Sequence, residues 1–146
     1  MLKRKYSWLM GLLLLLACWP MSASAADLSD PDARAVRAVV QAQLKAFAEG
    51  DAVRAFSYAS PQIRSQFGDA AAFITMVQQG YPMVIRPAAT VFSAPEAVDG
   101  NVLQVVQLRD ADGRRWLATY QVQRGPDQRW RINGCAVVPD SGKSST

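Results

Sequence analysis

The chain has 146 residues, a formal net charge of +4 and no histidine. Its length suits one domain with a single core, and the missing histidine excludes serine–histidine and cysteine–histidine catalysis and removes the commonest metal ligand. Three of the surplus positive charges, on Lys3, Arg4 and Lys5, lie at the extreme N-terminus. The remainder of the chain is nearly neutral, so we expect no nucleic-acid partner.

The N-terminus has the pattern of a secretory signal peptide. Basic residues precede an apolar run from Trp8 to Trp19, and small residues then end at Ala25. The run is shorter than the roughly 20 apolar residues of a membrane span and is followed at once by Pro20. We therefore expect residues 1–25 to be removed and the mature protein to be periplasmic or secreted, with no membrane attachment.

A second processing route is left open by the sequence Leu15-Leu16-Ala17-Cys18, which is similar to a bacterial lipobox. Cleavage there would leave a lipid-modified Cys18 and an anchored lipoprotein. Whether Cys18 is removed with the leader or carries lipid, Cys135 has no second cysteine to pair with in the same chain. An odd thiol in a secreted protein can pair between chains or be reactive, but we favour the interpretation that Cys135 is a small buried residue on a strand.

Residues 26–139 are predicted to form one domain, followed by a disordered tail over 140–146. Its first half has helical periodicity, with apolar residues of the first helix on one face and glycines at the helix ends. The residues expected to cap or open the helices are Asp30, Asp51, Pro61 and Asp69, and those expected to end the two longest are Gly50 and Gly80.

The second half has strand periodicity and hairpin turns. The predicted strands are Thr90–Ala94, Val102–Leu108, Arg115–Gln123 and Arg129–Val138, separated at Asp99-Gly100, Asp112-Gly113 and Gly125-Pro126-Asp127. This order predicts an α+β domain, with N-terminal helices packed on one face of a curved antiparallel sheet of about four strands.

Strict alternation along these strands assigns their two faces. The face predicted to lie under the helices carries Val102, Gln104, Val106, Leu108, Trp116, Ala118, Tyr120, Val122, Trp130, Ile132, Gly134, Ala136 and Val138. The opposite, polar face is predicted to carry Arg115, Thr119, Gln121, Gln123, Arg129, Arg131, Asn133 and Cys135.

The order of elements resembles the cone-shaped fold of nuclear transport factor 2, scytalone dehydratase and ketosteroid isomerase. More closely, residues 30–139 are similar to the uncharacterised family called domain of unknown function 4864. The residues that carry this resemblance are the segment Ala46–Phe56, Ala59-Ser60-Pro61, Ile63-Arg64, Phe67-Gly68-Asp69, Gly80-Tyr81-Pro82, Arg86-Pro87 and Trp130–Cys135. The wider fold hosts enzymes, ligand carriers and dimerising modules, so it does not decide the function.

The acidic residues have structural explanations. We interpret Asp30, Asp51 and Asp69 as helix caps, Asp99, Asp112 and Asp127 as turn residues, and Glu49 as a helix end. Dehydratases of the cone fold depend on histidine, and isomerase chemistry needs a carboxylate base in the pocket. The sequence predicts neither on the inner face, and it implies no metal or other cofactor.

Polar and aromatic candidates for a pocket nevertheless exist. They are Tyr58, Tyr81, Arg86, Gln104, Trp116 and Tyr120. For Tyr120 and Trp116 a core role competes with this reading, and Arg86 is equally interpretable as a loop arginine.

Two hypotheses for the function follow. The favoured one is a non-enzymatic module that binds a small apolar or amphipathic ligand, or that forms a homodimer or another protein contact through its open sheet face. The alternative is a cofactor-free isomerase or lyase in which Tyr81, Tyr120 or Gln104 polarises a substrate.

Overall fold

The computed structural model describes residues 27–142. The predicted leader, the alternative lipidation site predicted at Cys18 and the last four residues of the predicted tail lie outside this range. Within it, no helix is both long and apolar enough to cross a membrane. The helices are α1 (Asp30–Ala48), α2 (Ala52–Ser57), α3 (Pro61–Phe67) and α4 (Ala70–Gly80), followed by a short 3₁₀ helix at Pro82–Val84.

Side-chain caps fix where the helices begin. The Asp51 carboxylate accepts from the Arg54 amide at 3.0 Å and starts α2, as predicted. Asp69 starts α4 in the same way. The predicted cap at Asp30 is wrong, because this residue is already helical and the hydroxyl of Ser29 accepts from the third residue of the helix instead. An N-cap hydroxyl satisfies an amide that has no carbonyl partner within the helix.

Five antiparallel strands form one sheet. They are β1 (Ala89–Phe92), β2 (Glu96–Val98), β3 (Asn101–Arg109), β4 (Arg115–Arg124) and β5 (Trp130–Pro139), in the spatial order β1-β3-β4-β5, and β2 also pairs with β3. One strand, Thr90–Ala94, was predicted before β3, whereas two short strands, β1 and β2, pair with it. Pro95 lies between β1 and β2 and has no amide hydrogen for a ladder bond, so this edge is interrupted there.

The helices cover one face of this sheet, which confirms the predicted α+β class. Val36, Val40 and Phe47 on α1 are buried in the core between the helices and the inner face of the sheet, where Val106 and Ala118 are fully buried, and α1 packs on β5 and β3. Alternation predicted these inner residues correctly, because β3 and β4 pair without a register shift from Val102 to Arg109.

On β5 the predicted register is wrong beyond Ile132. Val122 pairs with Ile132, but the preceding residue of β4, Gln121, pairs with Gly134, so Asn133 is the extra residue of a β-bulge. The bulge reverses the faces of all later residues. Gly134, Ala136 and Val138 lie on the outer face, whereas Cys135 and Val137 lie on the inner face.

The segment between α2 and α3 holds this bulge in place. The Ser60 amide donates to the Ile132 carbonyl at 2.8 Å, and the Ile132 amide donates to the Tyr58 carbonyl at 2.9 Å. The buried Ser60 hydroxyl donates to the Asn133 side-chain oxygen at 2.7 Å. These bonds cover the free edge of β5 and give the extra residue its own polar partner.

Candidate functional site

A cavity of about 240 Å³ lies between the helices and the inner face of β4 and β5. It is larger than the ~150 Å³ engineered cavity that holds benzene and smaller than the roughly 300–1,000 Å³ of drug-sized pockets. Its apolar side chains are Phe47, Ala59, Ile63, Phe67, Phe73, Met76, Val77, Val84 and Ile132, and its polar ones are Gln43, Gln66, Tyr81, Tyr120 and Cys135. Gly134, beside the bulge, contributes backbone atoms to the lining.

The residues that line this cavity include no charged side chain. The helical wall is built around Phe73, whose ring lies 6.1, 5.3 and 5.8 Å from the rings of Phe47, Phe56 and Phe67. Such a wall favours an apolar, uncharged occupant, because an ion placed there would lose its hydration without gaining a counter-charge.

Tyr120 is the most deeply buried polar residue of the lining, with 1% of its surface exposed. Its hydroxyl has no hydrogen-bond partner within residues 27–142. Burial, and secondarily the neighbouring Cys135, raises the pKa of Tyr120 well above its ordinary value. The phenol therefore stays protonated at neutral pH.

Cys135 is brought to the same wall by the bulge, since it pairs with Tyr120 across the two strands. Burial raises the pKa of its thiol to about 12, although its proximity to the Tyr120 hydroxyl opposes the shift. No hydrogen bond of accepted geometry joins the two groups in the part of the chain described. The thiol stays protonated at neutral pH and is therefore a poor nucleophile.

Gln43 is a lining residue that the sequence analysis did not single out. Its amide nitrogen donates to the Ala55 carbonyl at 3.1 Å, and this buried bond fixes the side chain between α1 and α2. The sequence does indicate a buried role for Gln43, because it lies seven residues after Val36 on the apolar face of α1, where a polar side chain needs a hydrogen-bond partner.

Two of the six predicted site residues, Tyr81 and Tyr120, line the cavity. Tyr81 follows α4 and is half-buried at the wall. Gln104 pairs with Tyr120 across the strands, but it is absent from the cavity lining. It is fully buried, its nitrogen donates to the Ser93 carbonyl at 2.8 Å, and its oxygen has no partner among the residues described.

The other three predicted residues lie away from the cavity and have local partners. The Trp116 indole donates to the Asp110 carboxylate at 3.1 Å. The Tyr58 hydroxyl accepts from the Arg54 guanidinium at 3.3 Å, and Tyr58 lines a separate groove beside Trp130. The Arg86 guanidinium is exposed and donates to the Ala48 carbonyl at 3.1 Å. A ligand-binding role for these three residues stays a prediction.

No group of three potential metal ligands among histidine, cysteine, aspartate and glutamate occurs in the described residues. The lining residues of the cavity offer hydrogen bonding from neutral groups together with apolar contact.

Comparison with known proteins identifies a family. Residues 29–145 match the family model described as "Domain of unknown function (DUF4864)". No curated protein and no solved structure matches the chain.

Proposed function

The chain belongs to the family described as Domain of unknown function (DUF4864), and we propose that its domain is a non-enzymatic module that binds a small, uncharged, largely apolar ligand. The site is the cavity between the helices and β4 and β5. The observation that carries this proposal is a cavity of about 240 Å³ with a mostly apolar lining that includes no charged side chain.

The chemistry of the lining supports binding rather than catalysis. Proton transfer near neutral pH needs a group that titrates there. The cavity residues include no carboxylate, and burial moves the pKa values of both Tyr120 and Cys135 upward, away from neutrality. An isomerase or lyase with a base in this cavity is therefore disfavoured.

We also propose that the domain is a member of the cone-shaped superfamily that includes nuclear transport factor 2. Helices that precede an antiparallel sheet and line a cavity on one of its faces support this assignment. The assignment concerns the fold, and it adds nothing about the ligand.

The N-terminal sequence supports export of this module to the periplasm or the medium. We expect the exported protein to begin at Ala26, and intact-mass analysis of protein recovered from the periplasm or medium measures this. A mature chain that begins at Met1 would contradict export by cleavage. A lipid-bearing chain that begins at Cys18 would show that the protein is an anchored lipoprotein and not a free exported protein.

Binding is tested with naphthalene as an apolar probe and a variant that fills the cavity. Val84→Phe places a ring on the cavity wall, whereas Val91→Phe makes the same change on β1, where the valine is 61% exposed. We expect saturable binding to the wild type and to Val91→Phe and at least tenfold weaker binding to Val84→Phe, with unchanged circular dichroism in all three. Equal binding by the two variants would contradict the cavity as the site.

The outer face of the sheet supports a second proposal, a homodimer. Val91 and Val138 lie on this face and are 61% and 53% exposed, which is high for branched apolar residues. Native mass spectrometry distinguishes a dimer from a monomer and also reports a retained ligand. A monomer at micromolar concentration would remove the dimer proposal without affecting the cavity.

A further inference from the structure

A groove separate from the cavity is lined by α1, the end of α2 and the start of β5, and its volume is about 490 Å³. This volume falls within the roughly 300–1,000 Å³ of small-molecule sites. Its lining residues are Ala38, Val39, Ala42, Ser57, Tyr58, Gln128, Arg129, Trp130 and Arg131. The lining thus combines two large aromatic side chains, two arginines and small residues of α1, and it includes no acidic side chain.

The two arginines of this groove differ in their partners. The Arg131 guanidinium donates two hydrogen bonds to the Asp127 carboxylate, at 2.9 and 2.6 Å. The same carboxylate accepts from the Arg129 backbone amide at 3.2 Å. The side chain of Arg129 is exposed and forms no ion pair within residues 27–142. Asp127 therefore balances one of two positive charges, and the groove keeps one surplus positive charge that attracts an anion.

Aromatic side chains supply the apolar part of the groove. Tyr58 and Trp130 are both partly buried in its lining, and Ala38 on the facing side of α1 is small. The Arg124 guanidinium lies 5.5 Å from the centroid of the Trp130 ring, but its charge is paired with Asp32 at 3.3 Å. A flat ring packed against such side chains gains contacts beyond those expected from the area that it buries.

We propose that this groove binds a small aromatic carboxylate, with its ring against Tyr58 and Trp130 and its carboxylate beside the Arg129 guanidinium. A single negative charge matches the one surplus positive charge, and a planar carboxylate fits the fork of a guanidinium. The lining of the cavity has no charged side chain and disfavours the same anion. The groove is therefore a second site, and its ligand does not depend on the proposed function of the cavity.

Three naphthalene derivatives test the inference in the full mature protein: anionic 2-naphthoate, neutral 2-naphthamide, and 2-naphthylmethylamine, which is cationic at neutral pH. The naphthoate should bind about 2- to 5-fold more tightly than the amide, the factor given by one partly exposed ion pair. The amine should bind most weakly. Arg129→Gln should abolish the preference for the naphthoate and leave the affinity for the amide unchanged.

Arg109→Gln is the matched control variant. Arg109 is exposed like Arg129, but it pairs with Arg115 at the start of β4, whereas the groove lies beside the end of that strand, where Arg124 pairs with Trp130. This variant should keep the preference for the naphthoate. Equal affinities of the wild type for the naphthoate and the amide, or an equal loss of preference in both arginine variants, would overturn the selection of a carboxylate by Arg129.

A two-dimensional NMR titration of the wild type with 2-naphthoate locates the site without any variant. The amides of Ala42, Tyr58 and Trp130 should shift saturably, and excess naphthalene should leave these shifts unchanged. Shifts confined to the residues of the cavity, or no saturable shift at millimolar concentration, would overturn the groove as a site. Either result leaves naphthalene binding in the cavity intact, so this inference and the proposed function fail separately.

Discussion

Replacement of Ile132 by aspartate should lower the free energy of unfolding by about 3–5 kcal/mol, the cost of an unpaired buried charge. Ile132 is 5% exposed, lies on the inner face of β5 and lines the cavity. Its backbone also bonds the segment that covers the edge of β5, so the chain cannot easily rotate the new carboxylate outward. Urea unfolding followed by circular dichroism measures the loss.

The matched controls lie further along the same strand. Val138→Asp should change stability by less than about 1 kcal/mol, because Val138 is 53% exposed on the outer face. Val137→Asp should be much more costly, since Val137 packs against the core. The opposite ranking of the two valine variants would show that β5 continues without the bulge at Asn133.

Phe73→Ala should also destabilise the domain, by about 3–5 kcal/mol. Phe73 is 6% exposed, and three other phenylalanine rings surround it with centroids between 5.3 and 6.1 Å away. Truncation removes these contacts from the wall of an existing cavity and enlarges the space that must stay empty or bind a ligand. A loss of this size is a large fraction of the total free energy of unfolding of a small domain.

Gln78→Ala is the control for this change, because Gln78 lies on the same helix and is exposed. Its unfolding midpoint should match that of the wild type. A loss below about 1 kcal/mol for Phe73→Ala would mean that α4 contributes little to the core, and the description of the cavity wall would then be wrong.

Local chemistry in the sequence predicted most of the architecture. The side chain of Asp51 caps its helix directly, and Asp99 and Gly100 both adopt positive φ, as a two-residue hairpin turn requires. Alternation predicted the faces of β3 and β4 for the same reason, since nothing interrupts their pairing. The break at Pro95 also had a local signal that the strand prediction did not use.

The later part of β5 and the cavity depended on contacts distant in the sequence. Asn133 bulges where Ser60, 73 residues earlier, donates to its side chain. Gly134 is the only nearby hint of a bulge, because glycine is unusual inside a strand. The resulting reversal moves Cys135 onto the inner face, beside Tyr120. Strict alternation had predicted Gly134 on that face and Cys135 on the outer face. Tyr81 and Tyr120 were predicted as pocket residues from their positions alone.

The most direct test of the binding site is a two-dimensional NMR titration of the isotope-labelled mature protein with naphthalene. We expect saturable amide shifts concentrated on Val84, Tyr120, Cys135 and their neighbours, which belong to three different elements and all line the cavity. Saturable shifts confined to the outer face around Val91 and Val138, or no shifts at all, would contradict it.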